Sequence, residues 1–421
     1  MQILNEIFNK KIYERDCVKE ILRWIDDREI IVITGPRQSG KTSLLYFFIR
    51  YLIENKIATE KSIYFYDAED PKIADFFSSG IENIISEISP EQNKKKYVFI
   101  DEAHYIKDAG KTLKYIVDHY GDQIKFFISG SSSLEISKNF KESMVGRKII
   151  FVLYPLNFGE FLVFKDKKNL REKKLNIGEK EEIKILFNEF CIYGGFPRVV
   201  LENDLEKKKN ILNEIYSSYI RKDIASLFGI SVFDKFNKFL KYIAVNSGQI
   251  FNINSATINI QNISRPTIER YLNILEGTFI INKINPYYGN KNKEIIKMGK
   301  VYFIDNGIRN IIINNFNSLE NRTDAGALLE IFALRNMLDK YKKDEIKFYR
   351  TKSGLEVDFI IDKSQLYAIE VKKNGDSFKE NYFIDFIKRY KINEFIIFNL
   401  TKNYIGDKFK YYFLYEIDRI I

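Results

Sequence analysis

Two sets of residues have types and spacings that suit chemistry. The first is Gly35-Pro36-Arg37-Gln38-Ser39-Gly40-Lys41-Thr42-Ser43, in which Gly, four residues and then Gly-Lys-Thr separate a β-branched run from an apolar stretch. Glycines so spaced let backbone N–H groups turn inward around phosphate oxygens, and a helix opening at Lys41 offers its positive N-terminus to the same anion. Lys41 would reach the β- and γ-phosphates of ATP and Thr42 would ligate Mg²⁺, with Gly35, Pro36, Arg37, Gln38, Ser39, Gly40 and Ser43 completing the nucleotide contacts. Downstream, Tyr97-Val98-Phe99-Ile100-Asp101-Glu102 is an apolar strand ending in two carboxylates. Asp101 would hold Mg²⁺ through water, and Glu102 would orient and activate the attacking water. A further strand runs into Ser129-Gly130-Ser131-Ser132, which brings the Ser131 hydroxyl near the place of a γ-phosphate; polar turn chemistry is the other reading of those serines.

The second set lies near the C-terminus. Glu356 and Asp358 alternate with Val357 and Phe359, so both acids share one face of a strand, and Glu370 and Lys372 stand two apart on the next. Upstream, Glu330 falls on a helix that precedes these strands. An acid on one strand followed by Glu-x-Lys on the next is the arrangement found in restriction-endonuclease-like folds. Phosphodiester hydrolysis needs hard oxygen ligands for Mg²⁺, or Mn²⁺ in its place, and a Lys to position water or stabilise developing charge. Glu330, Asp358 and Glu370 would be the metal ligands, with Glu370 and Lys372 in catalytic roles. Two other readings stay open: a half-exposed edge strand, and such a fold kept for DNA binding with its site idle.

The elements that must hold these residues follow from periodicity. Strand-like runs at 29–34, 62–66, 97–100, 125–129 and 148–153 alternate with amphipathic, helix-length stretches, and the strands are apolar on both faces. That pattern predicts a parallel sheet covered on both sides. After Pro155 the signals become helical to about Phe228. Three helix-length segments over 232–281 then precede two strand-like runs and a Lys-rich stretch, a winged-helix pattern. On the third helix Ile268, Leu272 and Leu275 share an apolar face, opposite Arg265, Thr267 and Arg270. From Asp324 a helix, three strands and another helix make a second small α/β unit.

The run GPRQSGKTSLL, the Asp101-Glu102-Ala103-His104 strand end, the SGSS turn, Gly146-Arg147 and YPLNFGEFL from Tyr154 together resemble the archaeal and bacterial AAA+ ATPases with a C-terminal domain of unknown function. That resemblance implies an α/β fold: a P-loop AAA+ parallel sheet with helical lid (1–160 and 161–230), a winged helix (231–305) and a C-terminal restriction-endonuclease-like α/β domain (306–421). It also implies that Arg147 is a finger reaching a neighbouring subunit's γ-phosphate, and hence a homo-oligomer; a surface Arg paired with a carboxylate is the rival reading. Gly194-Gly195-Phe196-Pro197 resembles the element that sets Pro197 against the adenine, or is a plain helix stop.

Lys and Arg number 67 against 57 Asp and Glu, a formal charge of +10 that suits a polyanionic partner such as DNA. Arg265, Thr267 and Arg270 would enter a groove, and the stretch from Lys283 to Lys300, with Lys291 and Lys293, would meet phosphates. Cys17 and Cys191 match no metal spacing, and with only His104 and His119 a poly-His metal site is excluded. The absence of an apolar run of about 18 residues, and of an apolar leader, predicts a cytoplasmic protein with no membrane partner. The expected function is Mg²⁺-dependent ATP hydrolysis coupled to DNA binding, with metal-dependent cleavage as an added activity. The alternatives are a nucleotide-switched DNA-binding regulator whose nuclease-like domain is inactive, and a protein-remodelling ATPase with no DNA role.

Overall fold

A computed structural model of the chain describes residues 2–91, 94–130, 144–172, 175–218, 233–288 and 299–421. They fall into two compact units, 1–154 with 277–279, and 155–276 with 280–421.

The first unit is built on five parallel strands: β1 (Ile30–Thr34), β2 (Ile63–Asp67), β3 (Lys96–Asp101), β4 (Ile124–Gly130) and β5 (Lys148–Val152), in the order β2-β3-β4-β1-β5. Every residue of β1, β3 and β4 is buried, as strands covered on both faces require. Successive residues feed opposite cores. Ile31, Ile33, Phe99 and Phe127 pack with Leu44, Leu45 and Phe48 of the Lys41–Glu54 helix. Ile30, Val32, Val98, Ile100 and Ile128 pack with Phe77, Ile84, Leu113 and Ile116 from helices Pro71–Ser78, Ile81–Ile88 and Ala109–Tyr120. The order puts β4 between β1 and β3, so the C-terminal ends of all three lie side by side, where ligands of open α/β sheets bind.

The second unit opens with helices Phe158–Phe164, Ile177–Tyr193 and Leu205–Ile215, then Phe233–Val245, Ile253–Ile260 and Arg265–Gly277. Part of the YPLNFGEFL run has a structural task here. The Asn157 side chain accepts from Glu160 N at 2.7 Å and Glu160 Oε2 accepts from Asn157 N at 3.1 Å, a reciprocal cap. Asn157 Nδ2 also donates to Asp339 at 2.8 Å, and Arg335 donates to the Pro155 carbonyl at 2.6 Å, which ties this helix start to the Ala325–Met337 helix.

The second sheet has eight strands in the order β12-β13-β11-β10-β9-β8-β6-β7. They are β6 (Ile281–Pro286), β7 (Lys300–Phe303), β8 (Ile346–Arg350), β9 (Glu356–Asp362), β10 (Leu366–Val371), β11 (Glu394–Asn399), β12 (Tyr404–Ile405) and β13 (Phe409–Phe413). The two strands expected to stand apart as a wing are thus joined to the C-terminal sheet. β6 pairs with β7 over 281–284 but meets β8 only at Asn285 and Pro286. Tyr302 of β7 packs on Phe359 of β9, and the Lys300 ammonium lies 5.5 Å from the Phe348 ring centre on β8. The hairpin therefore joins the sheet edge through Asn285 and Pro286 and turns the Lys300 and Tyr302 side chains back over β8 and β9. On the Arg265–Gly277 helix the buried face is Ile268, Tyr271, Ile274 and Leu275, with Tyr271 packed on Phe236 and Phe239; Leu272, expected on that face, is only half-buried. No helix among the described residues is long and apolar enough to cross a membrane.

Candidate functional site

The loop from Gly35 follows β1 directly. Gly35 has φ +149°, and a Cβ there would lie 2.2 Å from the Leu153 carbonyl oxygen, so only glycine lets β1 turn this close to the chain leaving β5. Gln38 and Gly40 also have positive φ, +60° and +98°, and Gly40 is the N-cap of the Lys41–Glu54 helix. Arg15, which the sequence does not flag, braces the loop. Its buried guanidinium donates to the Ser39 carbonyl at 2.9 Å and to the Tyr154 carbonyl at 2.8 Å.

Lys41 is buried, and its ammonium donates to the carbonyls of Gly35 at 3.2 Å and Pro36 at 3.0 Å, with Glu102 Oε1 3.9 Å away. Burial lowers its pKa, and Glu102 and Asp101 offset this only in part. Thr42 Oγ1 donates to Asp101 Oδ2 at 2.6 Å, joining the loop to the end of β3. Ser129 donates to the other Asp101 oxygen and accepts from Glu102 N at 3.0 Å. Burial pushes the Asp101 carboxyl up, against the hydrogen bonds from Ser129 and Thr42. Glu102 behaves oppositely: burial disfavours its charge, but His104, with Nδ1 3.1 Å from Oε2, and Lys41 outweigh it and hold the carboxyl at about 2. Glu102 also sits at φ +48°, a left-handed conformation unusual outside glycine.

These residues fit a nucleotide and its Mg²⁺. The Thr34 and Ser39 hydroxyls are buried without hydrogen-bond partners, and Thr42 with Asp101 supplies hard oxygens. Arg37 donates to the Tyr105 hydroxyl at 3.1 Å, and Ser43 is exposed on the first turn of the helix. Arg147 is half-exposed and paired with Asp118 of its own chain, and also donates to the Val145 carbonyl at 3.1 Å. Ser131 lies outside the described residues. Pro197 begins the short Pro197–Leu201 helix. The preceding glycines pack on Asp305, which accepts from Gly195 N at 2.7 Å and whose carboxyl burial pushes up to about 6.

The second unit brings Glu330, Asp358, Glu370 and Lys372 together. Asp358 Oδ2 accepts from Val371 N at 2.9 Å, Glu370 Oε2 accepts from Asp358 N at 3.1 Å, and Lys372 Nζ lies 2.5 Å from Glu370 Oε1 and 3.8 Å from Asp358 Oδ2. The Tyr302 hydroxyl donates to Glu330 Oε2 at 2.7 Å. Lys300, expected among the phosphate-contacting lysines of an exposed stretch, is instead 2% exposed. Its Nζ is 2.5 Å from Glu356, 3.7 Å from Glu330 and 3.8 Å from Asp358, because the hairpin folds it onto the sheet face. Burial and the neighbouring Asp358 push Glu330 up to about 7 and Glu370 up to about 8. Burial opposes the charges of Lys300 and Lys372, but the surrounding carboxylates win and raise both above the usual lysine range.

This cluster does not fit the expected metal. Among the described residues no group of three or more His, Cys, Asp or Glu is arranged to hold a metal ion. Arg265 and Arg270 are exposed and Thr267 half-buried, with Arg265 paired to Glu269 at 2.9 Å; Lys291 and Lys293 lie outside the described residues.

Residues 27–162 match the family model of the AAA domain, 184–319 a domain of unknown function (DUF8612), and 325–413 another domain of unknown function (DUF4143). An uncharacterized protein of Haemophilus influenzae is 28% identical over 376 residues, covering 86% of this chain and 88% of its own. One from Methanocaldococcus jannaschii is 28% identical over 363 residues, covering 83% and 75%. Among solved structures, the Walker-type ATPase of Pyrococcus abyssi aligns with 73% of this chain and 99% of its own, at 14% identity and a TM-score of 0.47. The ORC2 protein of Aeropyrum pernix aligns with 73% and 96%, at 12% identity and a TM-score of 0.44.

Proposed function

We propose that the chain is a Mg²⁺-dependent ATPase whose nucleotide cycle is coupled to DNA engagement. The observation that carries the reading is the chain of contacts from Thr42 through Asp101 to Ser129 and the Glu102 amide, beside a buried Lys41. Thr42 and Asp101 would hold Mg²⁺, whose charge neutralises phosphate oxygens when it is bound. Lys41, now spending its N–H groups on loop carbonyls, would donate to phosphate. Glu102, ionised at any physiological pH, would orient and accept a proton from the attacking water. Pro197 lying against the adenine and Ser131 near the γ-phosphate remain part of this proposal.

The test is an ATPase assay with and without several DNA forms, on wild type, Lys41→Ala and Glu102→Gln. Turnover should fall by about 10²-fold or more in each variant, and unchanged turnover in both would sink the assignment. In the oligomer proposed here Arg147 would exchange Asp118 for a neighbouring subunit's phosphate, and specific activity would then rise with protein concentration.

For DNA, the three helices 233–277 with the β6–β7 hairpin would act as a winged helix, using Arg265, Thr267, Arg270 and the Lys283–Lys293 stretch. Affinity should fall steeply with salt. Salt-independent or absent binding would leave the protein-remodelling alternative. As to cleavage, one observation favours the regulator without a cutting step: in a domain read as restriction-endonuclease-like, Lys300 sits among the acids that a metal would need.

A further inference from the structure

The four carboxylates around β9 and β10 carry their own counter-charges. Glu356 lies 2.5 Å from Lys300 through one oxygen and 3.2 Å from Arg350 through the other. Glu330 Oε2 accepts from the Tyr302 hydroxyl and lies 3.7 Å from Lys300. Asp358 has Lys300 on the Oδ1 side, and Lys372 with the Val371 amide on the Oδ2 side. Glu370 is taken by Lys372 and the Asp358 amide. Three cations, Lys300, Lys372 and Arg350, thus face the four acids, and each acid already has a cation or a hydrogen-bond donor of the protein on it.

Lys300 is anchored at its backbone. Its backbone pairs with Ile284 of β6 and bridges to Ile250, and the adjacent Gly299 is pressed against the Ile284 carbonyl, where a Cβ would come within 2.7 Å. Its ammonium is enclosed by the rings of Tyr302 and Phe348, with centres 6.0 and 5.5 Å away. A divalent metal wants about six oxygen ligands. Here it would have to expel a buried, paired ammonium into an apolar wall, which is strongly unfavourable.

We infer that Lys300 is a tethered cation standing in the place of a divalent metal among Glu330, Glu356 and Asp358, so that the cluster is complete without a metal. The inference rests on the cluster alone, and its failure would leave the nucleotide-site reading untouched.

The test uses the nucleotide-free full chain and Mn²⁺ as the probe, with free Mn²⁺ followed by electron paramagnetic resonance. Wild type and Asp358→Asn should bind Mn²⁺ indistinguishably. Lys300→Met should gain one site at least about 10-fold tighter than anything in wild type, or 1.4 kcal/mol, and Lys300→Met with Asp358→Asn should lose it. A wild-type Mn²⁺ site that disappears in Asp358→Asn overturns the inference. So does a folded Lys300→Met that gains no site. Should Lys300→Met not fold, Lys300→Gln replaces it. If neither folds, the wild-type against Asp358→Asn comparison decides: a cluster-dependent ion refutes the inference and equal binding supports it.

Discussion

The nucleotide site and the C-terminal cluster both bury acids beside lysines, yet they leave opposite chemistry available. In the first, Lys41 is turned onto backbone carbonyls and stays 3.9 Å from Glu102, while Asp101 is met by two neutral hydroxyls. A cation can join that set without displacing another. In the second, ammonium groups sit on the carboxylates themselves. What separates a poised site from a satisfied one is therefore whether the counter-charge is supplied from within.

The largest expected effect contrasts equivalent changes in the two regions. Asp101→Asn should lower ATP turnover by about 10²- to 10³-fold, whereas Asp358→Asn should leave it within about two-fold; equal losses in a steady-state assay would erase the distinction. Asp358→Ala, which orphans the buried Val371 N–H and removes a shared partner of Lys300 and Lys372 while Glu356 and Glu370 stay beside them, should destabilise the second unit by about 1–3 kcal/mol in urea unfolding. A loss near zero would mean that those lysines are not held by charge.

The two regions should also respond to pH with opposite signs. Glu330 and Glu370 are raised from 4.5 to about 7 and about 8, so the folded state binds the extra protons. Their contribution is full below about 4.5 and is lost as pH rises through about 7 to 8. Glu102, lowered to about 2, contributes above its ordinary value of 4.5 and loses that contribution as pH falls toward about 2. Hydrogen exchange read by peptide should show segments 356–372 less protected at pH 8.5 than at pH 5.5, and Glu370→Gln should flatten the trend. The smallest effect belongs to Arg265→Ala. Its exposed pair with Glu269 predicts a stability change under about 0.5 kcal/mol, but the salt slope of DNA affinity should drop by about one.

The nucleotide site was legible because its information is local: the glycines, Lys41 and Thr42 lie on one turn, and Asp101-Glu102 ends a strand whose apolar run announces it. Ser129 stood in view as part of its turn, but that it reaches Asp101 follows only from β4 lying between β1 and β3. Arg15 was invisible, since nothing near it in sequence shows that it will meet the Ser39 and Tyr154 carbonyls. The alternation along 356–359 marks the C-terminal acids, but by composition Lys300 belongs with its basic neighbours. The signal that could have separated it is that it opens the apolar run Val301-Tyr302-Phe303. β11 and β13 lie beyond the helix, three strands and helix expected from Asp324, although Phe395-Ile396-Ile397-Phe398 and Phe409-Lys410-Tyr411-Tyr412 have strand composition. β6 and β7 were expected as strands, yet their folding onto a distant sheet depends on contacts that no local pattern records.

That hairpin carries a consequence for the order of assembly. During synthesis Lys300 is made before Glu330, Glu356 and Asp358, so its ammonium must stay hydrated until the later strands arrive. The contacts that finally enclose it span long loops, which slows their closure. Early docking of the hairpin would bury an unneutralised charge and is disfavoured. The second unit therefore has a built-in delay: the β6–β7 hairpin cannot settle until β9 is in place.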